Sequence, residues 1–297
     1  MKMPGPLSHT LFGREAYRQL EDVDIRRLLQ EHWTAYLWGL QGPDLYYYPA
    51  RIKKGYKLNR LGLFMHLYNT AGMLTAMGDY LASIKNTEEY DGLLSYCMGF
   101  LCHYCSDKAI HSYVFPKEKI IRQQRPDYNE VKEGGLHGRI ESGIEWLFYQ
   151  CRRSPNETME TIMQDYSITP PMMDSIEKMY VYIADTVYHI NAKAEPFSLS
   201  FEAAFQCFGR HVTEVDVFLE DQLNLNRAPW EVFDSPGVFL NKSVFELYDI
   251  AREEALDLIK QLHDTQKQGV RFSPATTRNF SYWKFNNPGW IKEYYHL

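Results

Sequence analysis

Apolar residues recur at intervals of three and four along nearly the whole chain, and segments that alternate apolar with polar side chains over any length are hard to find. That period lines one face of an α-helix, not one face of a strand. Helices are expected over about 13–20, 23–39, 58–85, 90–112, 137–151, 157–165, 172–192, 199–222 and 243–267. Turn-forming groups separate them: Gln41-Gly-Pro-Asp44, Tyr47-Tyr-Pro-Ala50, Glu133-Gly-Gly135, Ser154-Pro-Asn-Glu157, Thr169-Pro-Pro171 and Ser235-Pro-Gly237. Helices that each carry an apolar stripe must bury it against one another, so the expected class is all-α, a multi-helix bundle. With 297 residues, 45% of them hydrophobic, one domain over 1–297 can close a large core. Its candidate ligands fall within 1–151, and 152–297 reads as helical completion plus an aromatic tail, "NFSYWKFNNPGWIKEYYHL", wrapping the bundle or acting as an interaction tail or lid.

Charge narrows the function. Against 32 basic residues stand 38 acidic ones, a net charge of −6, so no positive excess exists to grip a phosphate polymer at long range. No dedicated nucleic-acid binding is expected, although a nuclease active site passes this test. The opening "MKMPGPLSHTLFG" lacks the apolar run of a signal peptide, and no stretch of about 18 apolar residues occurs, so no transmembrane segment and a cytoplasmic chain are expected. The five cysteines are odd in number and irregularly spaced, which fits reduced thiols; Cys102 and Cys105 read as small buried residues.

Three ligand-type residues stand four apart in His103-Tyr-Cys-Ser-Asp107-Lys-Ala-Ile-His111. On a helix this spacing stacks them about 6 Å apart on one face, and Asp107, with two oxygens, can bridge two cations. Read alone, such a stripe is more often a solvated helix face. Other residues weigh against that: His137 and Glu141 form a second pair at the same spacing, His66 lies in an apolar run, Asp44 follows a Gly-Pro turn, and His9 lies near the start. Of the remaining histidines, His211 is followed by Glu214 and Asp216, and it reads as an exposed helix face.

In order and spacing these residues resemble the zinc-dependent phospholipase C family, whose fold is shared with the single-strand-specific fungal nucleases. The resemblance covers roughly residues 5–150. It implies an all-helical fold with a zinc cluster between helices. The first zinc would be held by Asp44, His66, His103 and Asp107, the second by His111, His137 and Glu141, and a third by His9 with Asp107 as a bridge. Two departures are visible. Near His9 there is no tryptophan, whose amino group and carbonyl complete the third site in the family, so two zinc ions are expected with a third optional. Three residues separate Asp107 from His111 where secreted members have five, which keeps His111 on the same stripe.

The resemblance implies a zinc-dependent phosphodiester hydrolase acting on a phospholipid or a related small phosphodiester, with Asp44 orienting or deprotonating the attacking water. Glu145 and Asn69 are candidate partners fixing the imidazole rings, and Tyr46, Tyr47 and Tyr48 lie beside the presumed cleft. Two other readings remain open: a nuclease or nucleotide phosphohydrolase of the sister family, and a zinc-binding protein that has lost catalysis. The oligomeric state is not legible. Two other all-α metal families fail on residue order: the one His-Asp dipeptide, His263-Asp264, has no aspartate after it, and a di-iron bundle wants two Glu-x-x-His pairs where the pairs here run His-x3-acid.

Overall fold

Caps and breakers set the helix limits. The first helix, α1 (Pro6–Gln19), opens on a proline, whose missing N–H costs nothing in a first turn. Asp22 accepts hydrogen bonds from the Asp24 and Ile25 amides to start α2 (Val23–Glu31), and the backbone bends at His32 (φ −118°) before α3 (Trp33–Gly39). Two 3-10 turns follow at Gly42–Tyr46 and Tyr48–Arg51. Next come α4 (Asn59–Leu67), α5 (Thr70–Ser83), α6 (Tyr90–Gln124), α7 (Gly135–Arg152), the short α8 (Met159–Met163) and α9 (Pro170–Ile183), which runs into a π turn at Ala184–Tyr188. Then follow α10 (Ser198–Phe208), a hairpin of β1 (Trp230–Glu231) with β2 (Phe239–Leu240), and α11 (Val244–Gln268), which starts on a Ser243/Glu246 capping box. This computed structural model describes residues 6–53, 56, 58–125, 135–192, 197–208, 221–232 and 237–274. His211, Glu214, Asp216 and the aromatic tail lie outside the described residues, as do most of the 133–135 and 235–237 turns.

The all-α expectation holds, and the differences are local. Each of the expected helices 23–39 and 58–85 is two helices. Asn69 takes the left-handed conformation (φ 46°) and its side chain accepts from the Gly72 amide, which stops α4 and starts α5. Helix α6 continues past 112 through Pro116. An interior proline costs about 3 kcal/mol, but Tyr113, Val114 and Phe115 are buried around it, and each buried apolar side chain contributes about 1.5–3 kcal/mol. Packing wins. The helix expected over 199–222 is described to Phe208, and Asp221–Leu223 form a turn. Two-residue strands are too short to show alternation, so the hairpin had no sequence signature.

Helix α6 is the axis of the molecule, buried nearly all round from Gly92 to His111. Helices α3 and α11 lie along it, and α1 and α7 pack on the same rod. The α3–α6 crossing is backbone against backbone: a Cβ on Gly39 would fall 2.0 Å from the Tyr96 carbonyl oxygen, and one on Gly99 would fall 2.1 Å from that of Tyr36. One hydrophobic core takes side chains from α1 through α11, ending at Phe272. Among the described residues no helix is long and apolar enough to cross a membrane, and the five cysteines are free.

Candidate metal centre

The close α3–α6 crossing fixes the start of the site. It brings the Leu40 carbonyl to 3.0 Å from His103 Nδ1, and since a carbonyl only accepts, Nδ1 carries the proton and Nε2 the lone pair. Two residues on, Gly42 turns the chain with φ +48°, and a Cβ there would lie 2.5 Å from the His103 ring. Asp44 is thereby delivered, buried, above the α6 stripe. Helix α4 contributes His66 from its last turn. Its Nδ1 donates to the Gly62 carbonyl at 2.6 Å, leaving Nε2 3.1 Å from Asp44 Oδ1 and 3.8 Å from Asp107 Oδ2.

Further along the stripe, His111 Nδ1 stands 3.1 Å from Asp107 Oδ2 and its Nε2 3.2 Å from Glu141 Oε1. Helix α7 supplies His137 and Glu141, whose Nε2 and Oε1 approach to 2.8 Å, and the His111 and His137 rings stack at 5.3 Å. His9 comes from the first turns of α1, its ring 4.3 Å from that of His103 and its Nε2 4.0 Å from Asp44 Oδ2. All eight residues singled out in the sequence are therefore in one buried cluster, none more than 5% exposed. Their donor atoms fall into three sets in which every pair lies within 4.8 Å: His9, Asp44 and His103; His66, His103 and Asp107; and His111, His137 and Glu141. The last set is the trio the resemblance implies for a second zinc. His9 groups with Asp44 and His103 rather than with Asp107.

The electrostatics divide the cluster in two. Burial pushes the His9 ring down to about 4, and burial together with the His9 ring holds His103 well below the usual imidazole range. Both rings are neutral and offer lone pairs. Burial opposes charge on His111 and His137 too, but Asp107 and Glu141 outweigh it at His111, which is raised well above the usual imidazole range, and Glu141 with Glu118 outweighs it at His137, which is raised as well. Burial pushes Asp44 up to about 6, whereas the surrounding imidazoles overcome burial at Asp107 and Glu141 and hold those carboxyls below the usual range.

Does a cation fit? His9 Nε2, Asp44 Oδ2 and Glu141 Oε2 are buried with no hydrogen-bond partner among the described residues. An unsatisfied buried polar atom costs about 1–3 kcal/mol, and imidazole nitrogens with carboxylate oxygens are what zinc takes. The residues fit the metal. The zinc-dependent phospholipase C family model matches the chain over residues 8–190. The chain belongs to the zinc-dependent phospholipase C family. No curated protein and no solved structure matches it. The family match takes in every one of the eight clustered residues and stops before α10, the hairpin and α11.

For a member of the phospholipase C family, the supporting residues matter as much as the donors. Glu118, two turns beyond His111, has Oε2 3.5 Å from His137 Nδ1 and is itself gripped by Arg122. Sequence reading missed it because α6 was expected to end at 112; the signal was its helical register with His111. Ser106 Oγ, within the motif already singled out, lies 3.1 Å from His9 Nδ1. Glu145 has a different task from the one expected: it accepts from the Leu7 and Ser8 amides and so holds the end of α1 that bears His9. Asn69 caps α5 by accepting from the Gly72 amide, and among the described residues its side chain bonds no imidazole. Of the three tyrosines, Tyr46 and Tyr48 are core residues, while the Tyr47 hydroxyl lies 3.5 Å from His66 Nδ1.

Proposed function

We propose that the chain is a phospholipase C-like zinc phosphodiesterase that hydrolyses a phospholipid or a related small phosphodiester. The observation that carries this reading is the arrangement of five imidazoles and three carboxylates as three buried donor sets along one stripe of α6. His66, His103, Asp107 and Asp44 would hold one zinc, and His111, His137 and Glu141 a second. His9, with a carboxylate oxygen shared from Asp44, would hold a third. When bound, the zinc ions supply Lewis acidity, lowering the pKa of water towards about 7 and neutralising phosphate charge.

The protein's own part is positional. Leu40 and Gly62 fix two rings with Nε2 inward. Asp44 accepts the proton of the attacking water through a carboxylate oxygen and directs it at phosphorus. The buried setting excludes bulk water, so these charges act at low screening.

Purified protein should contain about two to three zinc ions per chain, and the His103→Ala, Asp107→Ala double variant should lose them. Phosphatidylcholine, a chromogenic phosphodiester and single-stranded DNA are then compared as substrates of the zinc-loaded protein. Cleavage of the first two is expected, with Asp44→Asn slower by about 100-fold or more while His111, His137 and Glu141 keep their zinc. Cleavage of DNA alone would instead favour the nuclease reading. A zinc-loaded chain that cleaves none of the three is a binding protein, and a chain purified without chelators that carries no zinc ends the proposal.

A further inference from the structure

Ser106 is buried on α6 between His103 and Asp107. A serine hydroxyl has one proton to give. Here it goes to the His103 carbonyl, 3.1 Å away, which can only accept. With that proton committed, Ser106 Oγ acts as the acceptor for His9 Nδ1, also 3.1 Å away. His9 must then carry its proton on Nδ1 and its lone pair on Nε2. That bare nitrogen faces Asp44 Oδ2 at 4.0 Å, and both atoms are buried without a hydrogen-bond partner among the described residues. Two acceptors facing each other in the interior mark a place for a cation. The opposite tautomer would leave an N–H aimed at a carboxylate beyond hydrogen-bond reach.

We propose that Ser106 is the positioning residue for His9 as a metal ligand, locking the ring in the tautomer whose Nε2 can accept a cation. The proposal rests on the zinc reading above. It makes this donor set internal to the fold: Ser106 sets the ring's proton, and Glu145 ties down the helix that carries it through the Leu7 and Ser8 amides. Serine hydroxyl to imidazole to metal is the same logic as a carboxylate or carbonyl behind a ligating histidine, and removing such a support weakens metal binding about 10–100-fold.

The test uses the full chain with Ser106→Ala and Ser106→Thr. The metal-free protein, labelled with 15N-histidine, is read by long-range proton–nitrogen NMR, His9 being assigned by its loss in His9→Gln. Zinc is then titrated against a competing chelator. In the wild type His9 is expected in the Nδ1-protonated form. In Ser106→Ala it should lose that form, and the weakest zinc should bind about 10–100-fold less tightly while the others are unchanged, which also shows that the variant is folded. Ser106→Thr, which keeps the hydroxyl, should restore both. An unshifted Nδ1-protonated His9 together with wild-type zinc affinities in Ser106→Ala overturns the proposal. If the wild type takes up no zinc, the reading of the site falls, and the tautomer measurement still decides what Ser106 does.

Discussion

Gly42 carries two constraints at once. Its φ of +48° is a conformation that L side chains rarely adopt, and a Cβ would press on the His103 ring. Gly42→Ala should therefore destabilise the protein by about 1–3 kcal/mol and lower zinc content with it, because Asp44 and His103 are both displaced. Denaturant unfolding and metal analysis of the same sample check this; stability lost with zinc retained would show that the turn and the ligands are uncoupled. A second residue-scale expectation concerns protons. His111 and His137 are held between carboxylates that raise both rings, His111 well above the usual imidazole range, whereas burial lowers His9 and His103. Zinc needs neutral imidazole, so filling the His111 set must release protons. The sign follows: a raised pKa means proton competition persists above the ordinary imidazole range, so affinity at this set should keep rising with pH beyond about 6.5. Calorimetry in buffers of different ionisation enthalpy measures the release, and a buffer-independent heat contradicts it. Of the candidate ligands, His103, Asp107 and His111 and the pair His137 and Glu141 were legible because i, i+4 spacing on a helix is a statement about one face, whereas His9, Asp44 and His66 were placed as ligands through the family resemblance. What stands behind them was not legible: the Leu40 carbonyl and Ser106 reach their histidines across packed elements in ways that no local spacing encodes, and Glu118 lay beyond the expected end of α6 at 112.

At the scale of elements, the crossing of α3 over α6 determines whether the site exists. The two helices touch through Gly39 and Gly99, where an added Cβ would meet a backbone oxygen that no side-chain rotation can move. Gly99→Ala should cost about 1–3 kcal/mol as an overpacked contact, and a lower melting temperature is the readout; an unchanged one would mean that the helices can part without loss. Helix identity was readable from periodicity, and helix ends much less so. The break at Asn69 depends on a left-handed residue that also caps the next helix, and the run through Pro116 depends on neighbours buried on other elements. Both are cases of tertiary packing outvoting local preference.

At the scale of the molecule, a bound metal would be linked to the fold. A cation that binds only the folded chain stabilises it by about 2.7 kcal/mol at a hundredfold excess over its dissociation constant. Zinc should raise the melting temperature and a chelator should lower it, measured by calorimetry at fixed protein concentration; equal transitions with and without metal would break the link. All eight clustered donor residues lie before residue 142, and the family match ends at 190, yet α11 at 244–268 covers a long face of α6 and the core runs on to Phe272. We propose that 1–297 is one cooperative domain. A fragment ending at 192 should then be unfolded or insoluble, as circular dichroism would show, and a folded, zinc-binding fragment would place a boundary where none is expected. The sequence pattern foretold the helical class and left the hairpin and the order of packing unread.

The contact between Gly39 and Gly99 has one more consequence. Because it is made by main chain alone, it works as a ruler whose length does not depend on the identity of surrounding side chains. Gly39 stands five residues before Asp44, and Gly99 four before His103. The rest of the core can drift by volume-conserving exchanges while the distance between that aspartate and that histidine stays fixed. A distant descendant of this chain would therefore be recognised less by overall likeness than by two glycines kept at those offsets from an aspartate and a histidine.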